Sequence, residues 1–252
     1  MGGISTTMHL IPLELSETDL VPFYASPPPG ERVLVLAPHP DDETLGCGGS
    51  LRILSNGGRA VRVLFLTKGE KAVDGMEHRE RYAAAREREA RKALEILGIP
   101  EYAFLGFPDR ELLARFSELR EQVVAHVDAF RPDCVYSPSP VELNPDHRAA
   151  AALAGELKKT RGMAIAFYEL VTPIRPNILI DVSAVYTHKE EAMKAYESQL
   201  EITDYLYLIR SLNAYRTMTL GKGTRYAEAF WILRDEEHPE LWLSYQNKLS
   251  ER

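Results

Sequence analysis

The segment Pro38-His39-Pro40-Asp41-Asp42-Glu43 sets an imidazole beside three consecutive carboxylates. Three adjacent acids repel one another, and folding alone gives no reason to crowd them into one turn. A divalent cation removes the repulsion and uses carboxylate oxygens and an imidazole nitrogen as ligands. A helix N-terminus also favours acids, but that explains neither His39 nor a second polar knot far downstream, Asn144-Pro145-Asp146-His147-Arg148. Taken alone, Asn144-Pro145-Asp146 is an ordinary turn and helix cap; its weight comes from where the fold places it.

The apolar run Val33–Leu36 before the first cluster reads as a buried strand, and the segment from Thr44 to Asn56 as a helix closed by Gly57-Gly58. The pattern then repeats. Strands are expected at Ala60–Leu66, Glu101–Leu105, Cys134–Ser137 and Ala164–Tyr168. Helices are expected at Glu77–Leu97, Glu111–Phe130 and His147–Thr160, with Pro138 to Asp146 as a loop. Such alternation predicts parallel β-α-β units, hence an α/β fold of the Rossmann-like kind: a three-layer α/β/α sandwich with a mostly parallel sheet. Beyond it, Ile178–Val182 reads as an edge strand, Val185–Leu200 and Asp204–Tyr215 as helices, Ala227–Leu233 as a last strand and Glu236–Leu249 as a C-terminal helix. Residues 1–30, ending in Ser26-Pro27-Pro28-Pro29-Gly30, read as an N-terminal arm and proline-rich linker, and residues 31–252 as a single domain.

In an open α/β sheet, ligands bind beyond the carboxyl ends of the strands where strand order reverses, usually between the first and fourth strands. That rule brings the two polar knots together. The most economical set of metal ligands is then His39, Asp42 and His147. Two imidazoles and a carboxylate leave a position open for water, as in catalytic and not structural zinc sites. An ion held there lowers the pKa of water to about 7, and Asp41 is placed to act as the general base. Glu43 and Asp146 fall behind these groups, steadying the turn and orienting an imidazole. Gly46, Gly48 and Gly49 fit neither G-x-G-x-x-G nor a P-loop, so they are expected to allow close helix–sheet packing. Cys47 is expected to be a small buried filler. His9, His78, His126, His188 and His238 are read as solvated side chains.

The chain has 252 residues, 45% of them hydrophobic and 27% charged, with a formal net charge of −7. This is the make-up of a globular enzyme, and the acidic balance argues against general nucleic-acid binding. Two cysteines, Cys47 and Cys134, exclude a disulfide scaffold and a cysteine-rich zinc site. No apolar run is long enough for a transmembrane segment, and Met1 to Leu15, broken by Pro12, makes a poor signal peptide. A cytoplasmic location is expected. The stretch Tyr205-Leu206-Tyr207-Leu208 and the surroundings of Trp231 and Trp242 read as core ahead of interface, and a homo-oligomer is left open.

The cluster Pro38-His39-Pro40-Asp41-Asp42-Glu43 with Gly46-Cys47-Gly48-Gly49 resembles the signature of the PIG-L/LmbE-like N-acetylglucosamine deacetylases. So do, in order, Thr67-Lys68-Gly69-Glu70, Arg86-x-x-Glu89 with Ala93 and Leu97-Gly98, Leu105-Gly106-Phe107-Pro108-Asp109, Tyr196-x-x-Gln199 and Ala227-Glu228-Ala229-Phe230. The resemblance implies a Rossmann-like fold and a zinc-dependent amidohydrolase, with Fe2+ as another ion such a site takes. The substrate it implies is an N-acetylglucosaminyl conjugate or glycolipid. By position it assigns His39, Asp42 and His147 to the metal and Asp41 to the base, and sets Arg86 and Asp109 near the sugar. Several family members carry a histidine where this chain has Asn144, linked to stabilising the tetrahedral intermediate. Asn144 can donate a hydrogen bond to substrate but cannot be a cation; Arg148 is the cation nearest in sequence. Two other readings use the same crevice: a metal-assisted phosphoesterase, and a sugar-binding module without catalysis.

Overall fold

The computed structural model describes residues 16–72 and 75–233. The expected helix Glu236–Leu249, most of the arm before Ser16, His9, His238 and Trp242 lie outside them. After a short helix α1 (Glu17–Leu20), the chain runs β1 (Arg32–Ala37), α2 (Asp42–Asn56), β2 (Ala60–Thr67), α3 (Met76–Leu97), β3 (Glu101–Phe107), α4 (Phe116–Phe130), β4 (Cys134–Pro138), α5 (Pro145–Arg161) and β5 (Ala164–Tyr168). It continues through β6 (Ile178–Asp181), α6 (Tyr186–Lys194), α7 (Glu197–Leu200), α8 (Tyr205–Tyr215) and β7 (Ala227–Leu233). The seven strands form one sheet in the order β3-β2-β1-β4-β5-β7-β6. Strands β1 to β5 pair in parallel. Only β7 runs against its neighbours.

β1 shows why the layers form. Its alternate residues enter two different cores: Val33, Val35 and Ala37 pack with α2, α3 and α6, whereas Leu34 and Leu36 pack with α4 and α5. A strand covered on both faces reads as a continuous apolar run, which is what β1 is. The three-layer sandwich and the β1–β4 adjacency expected from the sequence are both present. So is the tight packing at two of the glycines. A Cβ on Gly46 would sit 2.2 Å from Cδ2 of Tyr168, and one on Gly49 would sit 2.7 Å from Val182. Cys47 is buried and free.

Two boundaries and one expected burial differ from expectation. α4 begins at Phe116 and not at Glu111, because Arg110 adopts a left-handed conformation (φ 62°) and Asp146 accepts from the amides of Arg110 and Leu112, holding the chain in turns. The single helix expected over Val185–Leu200 breaks into α6 and α7, with Tyr196 (ψ 61°) outside both. Tyr207 and Leu208 are exposed, so only Tyr205 and Leu206 of that stretch lean on the core; Trp231 is half-buried against it. The described part of the arm runs along the β6 edge, where Ser26 donates to the carbonyl of Leu179 and Ala25 forms a parallel bridge with it.

Candidate metal centre

The carboxyl end of β1 is where the apolar strand stops and the polar turn begins. Thr67, at the end of β2, holds the turn open by donating its amide and hydroxyl to the Pro38 carbonyl at 2.9 and 2.8 Å. Asp41 then takes φ 139°, a region that L-residues rarely enter. Its carbonyl accepts from the amides of Thr44 and Leu45 as α2 starts. Glu43 anchors the strained residue: its Oε2 accepts from the Asp41 amide, and its Oε1 accepts from the hydroxyls of Thr44 and Tyr196 at 2.5 and 2.6 Å. Burial pushes the Glu43 carboxyl up to about 7, although those two hydroxyls pull the other way.

Three side-chain atoms converge above this turn. His39 Nδ1 lies 3.2 Å from Asp42 Oδ2 and 3.1 Å from His147 Nε2, and His147 Nε2 lies 3.3 Å from Asp42 Oδ2. All three residues are buried. Tetrahedral ligands about 2.0–2.1 Å from an ion stand about 3.3 Å from one another, so the triangle has the dimensions a small divalent cation requires. The chemistry of the set, two imidazoles and one carboxylate, fits as well. Burial opposes charge here but is outweighed. The Asp42 carboxylate holds the His147 imidazole up at about 9, and the two imidazoles hold Asp42 well below the usual carboxylate range.

Each imidazole is backed by carboxylates. His39 Nε2 faces Asp109 Oδ1 at 3.2 Å and Asp146 Oδ2 at 3.5 Å, which fixes the proton on Nε2 and turns the Nδ1 lone pair towards the triangle. His147 Nδ1 faces Glu142 Oε2 at 3.6 Å, an ion-pair distance too long for a hydrogen bond. Glu142 escapes sequence reading because it sits in a loop without periodicity; its spacing of five before His147 was the available signal. Asp41 lies beside the triangle. Burial pushes its carboxyl up to about 6 against the pull of the Arg86 guanidinium, whose Nη2 lies 3.0 Å from Asp41 Oδ2.

The four residues expected to meet or to serve the substrate are placed differently from one another. Arg86 is buried, and its guanidinium clamps the loops by donating to the Pro40 carbonyl (2.5 Å) and the Gly69 carbonyl (2.9 Å). Asp109 serves His39 and, through Oδ2, accepts from the Lys71 amide. Asn144 caps α5, its Oδ1 accepting from the Asp146 amide at 2.8 Å, so its NH2 group is what remains to offer. Arg148 donates to the carbonyls of Glu142 and Leu143 and does not line the crevice. The crevice itself has a volume of about 720 Å³ and is floored by His39, Asp41, Asp42, Asp109, Asn144 and His147. No helix among the described residues is long and apolar enough to cross a membrane.

Residues 34–158 match the family model described as PIG-L, GlcNAc-PI de-N-acetylase. The diacetylchitobiose deacetylase of Thermococcus kodakarensis is 32% identical over 222 residues, covering 79% of this chain and 81% of that protein. A Bacillus anthracis protein named "Probable N-acetyl-alpha-D-glucosaminyl L-malate deacetylase 2" is 31% identical over 217 residues, covering 79% of this chain and 94% of its own. Among solved structures, the N,N'-diacetylchitobiose deacetylase of Pyrococcus horikoshii superposes with a TM-score of 0.71 at 25% identity, covering 84% of this chain and 89% of that one.

Proposed function

The chain belongs to the PIG-L family of de-N-acetylases, and from that premise we propose that it is a zinc-dependent hydrolase removing the acetyl group from an N-acetylglucosaminyl compound. The observation that carries the reading is the triangle of His39 Nδ1, Asp42 Oδ2 and His147 Nε2, with the Asp41 carboxylate beside it in one crevice. The related proteins from Thermococcus and Bacillus differ in what their sugar is joined to, but both names specify an acetylated amino sugar.

In this reading His39, Asp42 and His147 hold the ion. Such an ion polarises an amide carbonyl and makes water acidic enough to attack at neutral pH. Asp41, whose carboxyl burial raises to about 6 in the metal-free chain, is ionised at pH 7 and takes the proton of the attacking water. Arg86 occupies Oδ2 of Asp41, which leaves Oδ1 for that proton. The C–N bond breaks, acetate departs, and Asp41 returns the proton to the amine. The NH2 group of Asn144 is the chain's donor for the developing oxyanion, in place of the family's histidine. Residues 31–252 act as one catalytic domain, a reading supported by the single sheet that runs from Arg32 to Leu233. The cytoplasmic placement rests on two buried free thiols, Cys47 and Cys134.

The test is an assay of the zinc-loaded chain on diacetylchitobiose and other N-acetylglucosaminyl compounds. Stoichiometric release of acetate and a free amine is expected. Release of inorganic phosphate from sugar phosphates, with no acetate from any amide, would favour the phosphoesterase reading instead.

A further inference from the structure

The chain around the α6–α7 break is seated on α3. Tyr82, Arg86 and Glu89, at spacings of four and three, share one face of that helix. Glu89 accepts from the amide and the hydroxyl of Ser198 at 2.9 and 2.7 Å, and Gln199 Nε2 donates to the Tyr82 hydroxyl at 2.6 Å. Between them, Arg86 reaches Asp41. The break also takes Tyr196 out of helical backbone (φ −86°, ψ 61°), and its buried side chain carries a hydroxyl to Glu43 Oε1 at 2.6 Å. Glu43 Oε2 in turn accepts from the Asp41 amide at 3.2 Å. Asp41 is therefore held from two sides. The guanidinium holds its carboxylate, and Tyr196, through Glu43, holds its backbone at φ 139°. Neither Tyr196 nor Glu43 lines the crevice. Packing in the core would be served as well by a phenylalanine; the hydroxyl is what needs a reason.

Resting on the reading of Asp41 as the general base, we propose that Tyr196 is a positioning residue for that base, acting through Glu43. Its hydroxyl fixes the Glu43 carboxylate, the carboxylate fixes the Asp41 amide, and the strained backbone there keeps the Asp41 side chain beside the metal triangle. Without that hydroxyl, Oε1 of Glu43 keeps only the Thr44 hydroxyl, which belongs to the same turn and moves with it. Tyr196 ties the turn to a distant part of the chain. A misplacement of about 1 Å at a catalytic group can cost about 10²-fold in rate, so a hydroxyl outside the crevice can still govern turnover.

Tyr196→Phe removes the hydroxyl and keeps the ring. In the zinc-loaded chain, kcat on diacetylchitobiose should fall about 10–100-fold, with KM and zinc content within about twofold of wild type. Tyr136→Phe is the structural control, because Tyr136 is equally buried and its hydroxyl donates to the Pro29 carbonyl in the linker before β1. It should lower Tm and leave kcat unchanged. Glu43→Gln, alone and combined with Tyr196→Phe, tests the route: two residues acting in series give non-additive losses, so the double variant should match Glu43→Gln. Exchange of the Asp41 amide, followed by NMR, needs no turnover. It should quicken about tenfold in Tyr196→Phe and keep the wild-type rate in Tyr136→Phe. Unchanged kcat in Tyr196→Phe, additive losses in the double variant, or unchanged Asp41 exchange would each overturn the proposal. Loss of the fold by Tyr196→Phe would make the hydroxyl structural and overturn it too. If the wild-type chain releases acetate from no N-acetyl compound, the deacetylase reading fails; quicker Asp41 exchange in Tyr196→Phe alone would then still support Tyr196 as the residue that positions Asp41.

Discussion

Nδ1 of His39 and Nε2 of His147 stand 3.1 Å apart although the residues are separated by 108 positions, and Asp42 Oδ2 closes a triangle with both. Three electron-pair donors that close repel unless positive charge lies among them. Protons can supply it, which is why both imidazoles titrate above the usual histidine range. A divalent ion supplies it better, and it must displace those protons to bind.

Metal affinity should therefore climb with pH. His147 holds its proton up to about 9 in the metal-free protein, so between pH 6 and pH 8 zinc affinity should rise about tenfold per unit for each proton displaced. The metal-free fold behaves oppositely. A histidine whose folded pKa is raised contributes stability fully below its unfolded pKa of about 6.5, and that contribution is lost as pH rises through 9. Calorimetric titration and melting curves from pH 6 to 9, with and without zinc, check both slopes; zinc's increment in Tm should widen with pH.

Arg86→Met should cost stability and move the activity profile. It strands the buried Asp41 carboxylate and frees the Pro40 and Gly69 carbonyls; breaking a buried pair from one side typically costs about 3–5 kcal/mol. Without the guanidinium the Asp41 carboxyl rises further above 6, so the base is protonated over a wider range. The acidic limb of the kcat profile should shift to higher pH. Chemical denaturation and a pH–rate series measure the two effects separately.

Gly46→Ala should destabilise by about 1–3 kcal/mol through overpacking. The new Cβ meets the Tyr168 ring at 2.2 Å, and that ring cannot swing away because its hydroxyl donates to the Leu36 carbonyl. Gly155→Ala in α5 is the matched control. Nothing lies within 4 Å of its Cβ, and alanine in a helix interior should stabilise by about 0.5–1 kcal/mol. Urea melts of the two variants decide it.

Much of this arrangement could be read before the structure was known. His39 and Asp42 share one turn, and the strand order placed His147 opposite them. What could not be read was direction. The resemblance sets Arg86 and Asp109 near the sugar, and both line the crevice; what it does not tell is that Arg86 also donates to backbone carbonyls and Asp109 also faces an imidazole, because buried donors and acceptors must find partners nearby. Glu142 lies in a loop, where no period reports which side faces the crevice. The start of α4 was misplaced for a related reason. Asp146, distant in sequence, takes the amides that would otherwise have opened the helix five residues earlier.

In the proposed reaction the two neighbouring aspartates do different work, Asp42 holding metal and Asp41 moving a proton. Asp41→Asn keeps the size of the side chain and a hydrogen-bond acceptor for Arg86 while removing the base. Zinc content and kcat, measured on the same preparation, test the division directly. The metal should remain at the wild-type stoichiometry while kcat falls about 10²–10⁴-fold. Loss of the metal, or turnover close to wild type with the metal in place, would contradict it.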